Sequence, residues 1–308
     1  MGWPVNWNDA SLRVHTDSPV RARYRLLQSW YRANVLRVPP GLSSASRGEA
    51  RLVGSMLAAE SVAARPSLNF LTPEIASYAE RRMDEVRAAN GTIDEERLRR
   101  NMLSPVPLCF NLFGCLRLHA ADAAVVLRNA LALDIATIER IDVEEAPLPA
   151  EHLGDGTAFD AIVEYRTSRG EAAFLGVETK YTEPFSATEY EAERYTELTE
   201  DAQNGFLPGA AKRLKYFETN QLWRTVLLVL SLRAKKQYAF GHAVVVACRG
   251  DTAAERALLG LRAELAAPET VLRSVALESL MEGFSHRTAV EDWARAFTQR
   301  YLDLGPVR

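Results

Sequence analysis

Three cysteines in 308 residues are too few and too scattered to staple a fold. Cys109, Cys115 and Cys248 form no C-x-x-C pair, and an odd number cannot close a disulfide framework within one chain. They read as small buried apolar residues of a protein kept in a reducing compartment. The five histidines include no pair at helical ligand spacing, which argues against a structural zinc site. Long apolar runs are also missing. The run over residues 226–230 continues through Ser231 and Leu232 and then meets Arg233, far short of the ~20 residues a membrane span needs. Residues 1–7 show no cationic start followed by an apolar run, so no signal peptide is expected and the reading is cytoplasmic, with no membrane partner. No G-x-x-x-x-G-K-[ST] is present, which excludes coupling to ATP hydrolysis through a P-loop. Neither sign of charge dominates: 37 Lys and Arg stand against 40 Asp and Glu, for a net charge of −3. That balance excludes a polybasic protein holding nucleic acid by bulk electrostatics, yet leaves a local basic groove open.

What is present is the composition of a globular chain, 47% apolar and 25% charged, with no repeat or low-complexity stretch. Three regions are expected: a helical N-terminal region over 1–105, a mixed core over 106–250 and a helical extension over 251–308. In the first, residues 20–38 and 47–63 show helical spacing, broken by Pro39-Pro40-Gly41, and a further helix is expected over 93–102. Arg21, Arg23, Arg25, Arg32 and Arg37 alternate there with Tyr24, Trp30 and Tyr31, a pattern of either a solvated Arg face or a grip on nucleic acid. The centre changes texture. Residues 120–132 form a compact apolar helix, residues 138–145 alternate apolar and charged, and residues 159–165 and 172–181 read as two strands around a turn at 167–170. A helix over 220–235 and a buried strand over 242–248 follow. The order points to an α/β fold, one mixed sheet sandwiched by helices.

The hairpin carries the candidate chemistry. With its turn centred on Arg169, opposite residues have numbers that sum to 338, which sets Asp160 across from Glu178. Opposed residues on one face have Cβ atoms about 4.5–5.5 Å apart. Lys180, two residues beyond Glu178, points to the same face. Two carboxylates this close repel when both ionise, and a hard divalent cation resolves the conflict. An ammonium beside them suits hydrolysis of a phosphodiester, orienting or deprotonating the attacking water and offsetting charge in the transition state. Charged residues on a hairpin also occur as a plain solvated face, but here Phe159, Ala161, Ile162, Phe174, Leu175 and Val177 surround them, and unpaired charges in such a setting are costly.

Phe159-Asp160-Ala161 followed by Gly176-Val177-Glu178-Thr179-Lys180-Tyr181 resembles the PD-(D/E)xK nuclease superfamily, the restriction-endonuclease-like fold. Within it the chain is similar to the restriction-endonuclease family typified by a Porphyromonas protein. Further matching segments are Phe110-Asn111-Leu112-Phe113-Gly114, the run from Gly154-Asp155-Gly156-Thr157 to Asp160, Lys180-Tyr181-Thr182-Glu183 and Asn220-Gln221-Leu222-Trp223-Arg224. The resemblance implies Asp160 and Glu178 as metal ligands for Mg²⁺ or Mn²⁺ and Lys180 as the catalytic lysine. The superfamily's proline is replaced by Phe159. It also implies Gln221 as a site residue and Arg224 as a phosphate contact. The alternatives are a helix-start hydrogen bond and a surface arginine. Glu145 is either a further acid or a strand-end surface charge. Lys212, Arg213, Lys215 and the pair Lys235-Lys236 stand ready to line a groove for a phosphate backbone, or serve a helix end. The expected activity is that of a metal-dependent DNA endonuclease of restriction or defence type, with a homodimer as the arrangement that would help cut both strands. The alternative is a non-catalytic protein of the same fold that binds nucleic acid or assembles with partners.

Overall fold

The computed structural model describes residues 10–43, 50–186, 188–236 and 238–307. The expectation for residues 1–7, part of the proposed helix over 47–63, and the side chain of Lys236 lie outside the described residues. The chain forms two compact units, Met1–Cys115 with Ser285–Arg308, and Leu116–Phe284.

The first unit opens with α1 (Pro19–Tyr31), capped by the Ser18 side chain, which accepts from the Arg21 amide, and starting on a proline where no amide is needed. A π-helical turn, Arg32–Leu36, extends it, so helical spacing over 20–38 is realised. The expected helix over 47–63 is not. Its described part holds β2 (Leu52–Leu57), paired antiparallel with β1 (Pro40–Leu42), and only then α2 (Ala59–Ala64). Tertiary contact decides this. Gly54 lies so close to α1 that a Cβ there would meet Ser29 Oγ at 2.4 Å, and the Met102 amide donates to the Ser55 carbonyl. The N-terminal region is therefore not purely helical. Next come α3 (Pro73–Ala88), α4 (Glu95–Arg100) and α5 (Pro105–Leu118), which runs on into the second unit. Tyr31, Leu57, Val62, Leu68 and Met102 form a buried cluster here. The arginines of this region do not form one solvated face: Arg23 and Arg37 are exposed, whereas Arg25 and Arg32 turn inward. Arg25 is buried on Asp17 and Ser55, and Arg32 donates to the carbonyls of Gly54 and Val38. Asn111 of the expected F-N-L-F-G segment is likewise internal, accepting from the Leu71 amide and donating to the Asn69 carbonyl and the Tyr301 hydroxyl.

The second unit holds α6 (Ala120–Leu131), β3 (Thr137–Glu145), β4 (Phe159–Arg166), β5 (Ala172–Thr179), α7 (Glu193–Glu200), α8 (Ala210–Leu214), α9 (Phe217–Lys236), β6 (Phe240–Ala247), α10 (Thr252–Arg262), β7 (Leu272–Ala276) and α11 (Leu277–Ser285). The last helix, α12 (Glu291–Tyr301), belongs to the first unit. The five strands stand in the order β3-β4-β5-β6-β7, antiparallel from β3 to β5 and parallel from β5 to β7. This is the mixed sheet flanked by helices that the element order implied, with β7 as a strand the sequence pattern did not reveal. Strand β3, at one edge, mixes exposed, partly buried and buried positions, whereas the central β5 is buried along nearly its whole length. That is the pattern of a strand covered on both faces. Helix α9 supplies Leu222, Trp223, Val226, Leu227 and Val229 to the same core as Phe159, Phe174 and Val245.

The hairpin register is the expected one: Ala161 opposes Val177 and Arg166 opposes Ala172. Gly176 makes it possible, because a Cβ there would lie 2.4 Å from Phe159 Cε1. Gly176→Ala should therefore lower the free energy of unfolding by about 1–3 kcal/mol through overpacking. Gly156→Ala, whose new methyl meets nothing within 4 Å, should change it by less than about 0.5 kcal/mol. Urea denaturation of both variants measures the contrast.

Candidate active site

The site begins where β4 starts and β5 ends. Phe159, fully buried, anchors the first residue of β4 and leaves Asp160 at the mouth of the hairpin. The Asp160 carboxylate turns across the ladder, where its Oδ2 accepts from the Thr179 amide at 2.7 Å. On the other side of β5, the Lys180 amide donates to the Val246 carbonyl of β6 at 2.8 Å. The end of β5 is thus tied on both flanks. Glu178 and Lys180, two residues apart, project to one face and form an ion pair of 2.9 Å between Lys180 Nζ and Glu178 Oε1. Both residues are almost sealed, at 3% and 5% exposure.

Gln221 of α9 closes the arrangement. Its Nε2 donates to Glu178 Oε1 at 2.5 Å, while its Oε1 accepts from Lys180 Nζ at 3.2 Å and from the Ser186 amide at 2.8 Å. One side chain thereby touches Glu178, Lys180 and the loop that follows β5. The ring of Phe185 from that loop lies 4.4 Å from Lys180 Nζ, a cation–π contact over the ammonium. Asn220 holds the loop further along, accepting from the Tyr190 amide and donating to its carbonyl.

The electrostatics follow from burial and like charge. Burial raises Asp160 well above the ordinary carboxylate range, and Glu178 and Glu144 raise it further, against the opposing pull of Lys180 and the Thr179 amide. Burial works against the Lys180 ammonium, but Glu178, Asp160 and Glu183 outweigh it and leave its pKa raised. Lys180 is therefore a cation at neutral pH, suited to orienting a group and neutralising charge rather than to taking a proton.

Asp160, Glu178, Lys180 and Gln221 are brought together, whereas Glu145 and Arg224 are placed elsewhere. Glu145 is paired with Arg140 at 3.2 Å, in a cluster where Arg140 also binds Glu164 and Asp142, and Tyr238 donates to Glu164. Its neighbour Glu144, which the sequence pattern did not single out, is the acid that acts on Asp160. It falls between the pairs Val143–Ala161 and Glu145–Phe159, level with Asp160, on a left-handed backbone with φ 56°. A non-glycine residue there costs about 1–2 kcal/mol, and no sequence signal announces it. Arg224 donates to Thr157 Oγ1 at 2.6 Å, Asp155 Oδ2 at 3.3 Å and the Tyr195 hydroxyl at 3.1 Å. Of the basic residues ahead of α9, Arg213 is paired with Glu264 and Lys215 with Glu191.

An Asp at one strand start, a Glu-x-Lys at the adjacent strand end and a sheet of this order are the parts of one nuclease fold. A family model described as the PD-(D/E)XK nuclease superfamily matches residues 15–303. The chain belongs to the PD-(D/E)XK nuclease superfamily. No curated protein and no solved structure matches it. Membership supports a nuclease, with nucleic acid as the substrate class. PD-(D/E)XK nucleases usually use divalent metals. Among the described residues no group of three or more His, Cys, Asp and Glu side chains stands ready as a metal cluster. The donor set still fits a hard cation, which needs few protein carboxylates when water and phosphate complete its shell. Asp160 and Glu178 supply two, side by side at the mouth of the hairpin, where burial and the neighbouring Glu178 and Glu144 disfavour the charged form of Asp160.

The sign of that shift has a measurable consequence. A carboxyl whose folded pKa lies above its unfolded value favours folding when protonated, and that contribution is lost as pH rises through the folded pKa. At neutral pH, in EDTA, Asp160→Asn should therefore raise the thermal midpoint relative to wild type. The difference should shrink as the pH is lowered toward the ordinary aspartate range, a trend that calorimetry across pH checks.

Proposed function

We propose that this PD-(D/E)XK protein is a metal-dependent DNA endonuclease of restriction or defence type, working in the cytoplasm. The convergence of Asp160, Glu178 and Lys180 at one hairpin mouth, joined by Gln221, is the observation that carries the reading. Asp160 and Glu178 would hold Mg²⁺ or Mn²⁺. Such an ion supplies positive charge to the phosphoryl oxygens and acidifies nearby water. Lys180, as an ammonium, orients the water that attacks phosphorus and offsets the negative charge that grows on the phosphoryl group. Gln221 keeps Lys180 and Glu178 in one geometry. The water oxygen bonds to phosphorus, the phosphorus–oxygen bond to one sugar breaks, and the products are a terminal phosphate and a hydroxyl. The loop carrying Phe185 and Ser186 must shift for a phosphodiester to reach the Lys180 ammonium, since Glu178 and Lys180 are nearly closed to solvent. A homodimer would place two such sites on opposite strands. The first unit, which joins the N-terminal region to the last helix, is where target choice would reside.

That near-closure is the one observation favouring a second reading, a non-catalytic member that binds DNA without turnover. One experiment separates the two. Closed circular duplex DNA, incubated with purified protein and Mg²⁺ or Mn²⁺, should be nicked and linearised, and EDTA should stop the reaction. Asp160→Ala, Glu178→Ala and Lys180→Ala should each reduce cleavage by about 10²–10³-fold or more. DNA binding without cleavage under any divalent cation would favour the second reading, and cleavage surviving these substitutions would remove the assignment of the site.

A further inference from the structure

We propose that Arg224 is a positioning residue: from α9 it clamps the loop ahead of β4 and so holds Asp160 level with Glu178. This rests on the nuclease reading and adds to it a part for a residue that the family resemblance suggested as a phosphate contact.

The clamp is built from side chains of three segments. Asp155 is the hub. Its Oδ1 accepts from the amide and hydroxyl of Thr157, and its Oδ2 accepts from the Tyr195 hydroxyl and from Arg224 Nη2. Arg224 then donates to Thr157 Oγ1 and to the Tyr195 oxygen, and its guanidinium stacks 4.0 Å from the centre of the Tyr190 ring. Its side chain is only 12% exposed. Those bonds take three of the five guanidinium N–H groups, the Tyr190 ring covers one face, and the low exposure of the side chain leaves little room for a phosphate. Burial alone would raise Asp155, yet the hydrogen bonds from Thr157 and Tyr195 and the charge of Arg224 hold it below the usual carboxylate range. The pair is thus charged, and a charged pair fixed by a planar fork is stiff.

The stiffness is transmitted over a short path. Gly154, at φ 83°, turns the chain into the clamp, and Asp160 follows Asp155 by five residues. Between them Phe159 is wedged against Gly176, so the start of β4 is pinned at both ends. Gln221 lies three residues before Arg224, on the same face of α9. One helix face therefore registers both acids: Glu178 directly through Gln221, and Asp160 indirectly through the loop. A misplacement of about 1 Å in such a site can cost about 10²-fold in rate.

The test compares Arg224→Gln, Asp155→Asn and the milder Thr157→Val, which keeps the charged pair and serves where the other two fail to fold. For the first two, kcat on duplex DNA should fall about 10–100-fold, with KM and the Kd for labelled duplex in EDTA within about two-fold of wild type. Thr157→Val should fall in the same direction by less. The double variant should be little worse than either single, as for residues acting through one contact. A second readout needs no cleavage: the Thr179 amide, bonded to Asp160 Oδ2 in the wild type, should lose hydrogen-exchange protection in the variants. The proposal is overturned by weaker DNA binding in EDTA with a salt slope reduced by about 0.9 and an unchanged kcat, the signature of a lost phosphate contact. Unchanged protection at Thr179 in all three variants also overturns it. If the wild type cuts nothing, the nuclease reading falls, and the exchange measurement still decides whether Arg224 positions Asp160.

Discussion

A glutamate and a lysine two residues apart at a buried strand end are the constraint from which the site follows. Neither charge tolerates such burial alone, and removing one partner of a buried pair leaves the other uncompensated at a cost of about 3–5 kcal/mol. The 2.9 Å Glu178–Lys180 contact meets that demand only in part, because Asp160 brings a second carboxylate to the same mouth. Gln221 is the neutral partner able to satisfy acid and ammonium at once, since its amide has both a donor and an acceptor. Burial, and after it Glu178 and Glu144, disfavour the charged form of Asp160. A protein that leaves a carboxyl in that condition has either a proton or a cation in view.

Helix α9 is the ruler of the sheet unit. Its apolar face packs into the core with Phe174 and Val245, which sets its distance from β5 and β6. Its polar face then has fixed points to work from. Asn220 holds the loop after β5, Gln221 the strand end, and Arg224 the loop before β4. Three polar side chains within one and a half turns of helix reach the end of β5, the loop that follows it and the loop before β4. The positions are precise because packing behind them is close, and the charges are affordable because each is hydrogen-bonded.

The net charge of −3 recedes in importance once the charges are seen in place. Arg25, Arg32 and Arg224 serve internal contacts, and Arg213 and Lys215 are paired with Glu264 and Glu191. Counting basic residues therefore says little about where a phosphate backbone would lie. A cation at the acidic mouth would change the local potential more than any of these side chains.

The sequence by itself determined the hairpin and its consequences. Two strand-like apolar runs, a turn centred on Arg169 and the numbers 160 and 178 were enough to set the two acids opposite each other, because the two strands of a tight hairpin pair residue for residue about the turn. Gln221 was legible as a neighbour through its helix and family likeness. Other features were decided only in three dimensions. Leu52–Leu57 became a strand because β1 offered hydrogen bonds and α1 a close face, both distant in sequence. Glu144 rather than Glu145 came to act on Asp160 because the pairing of β3 with β4 sets it level with that residue. Arg224 turned inward because Asp155, sixty-nine residues earlier, supplies a half-buried charge that it pairs with. Local periodicity fixes which face a side chain takes; which charge it meets there depends on segments that only packing brings together.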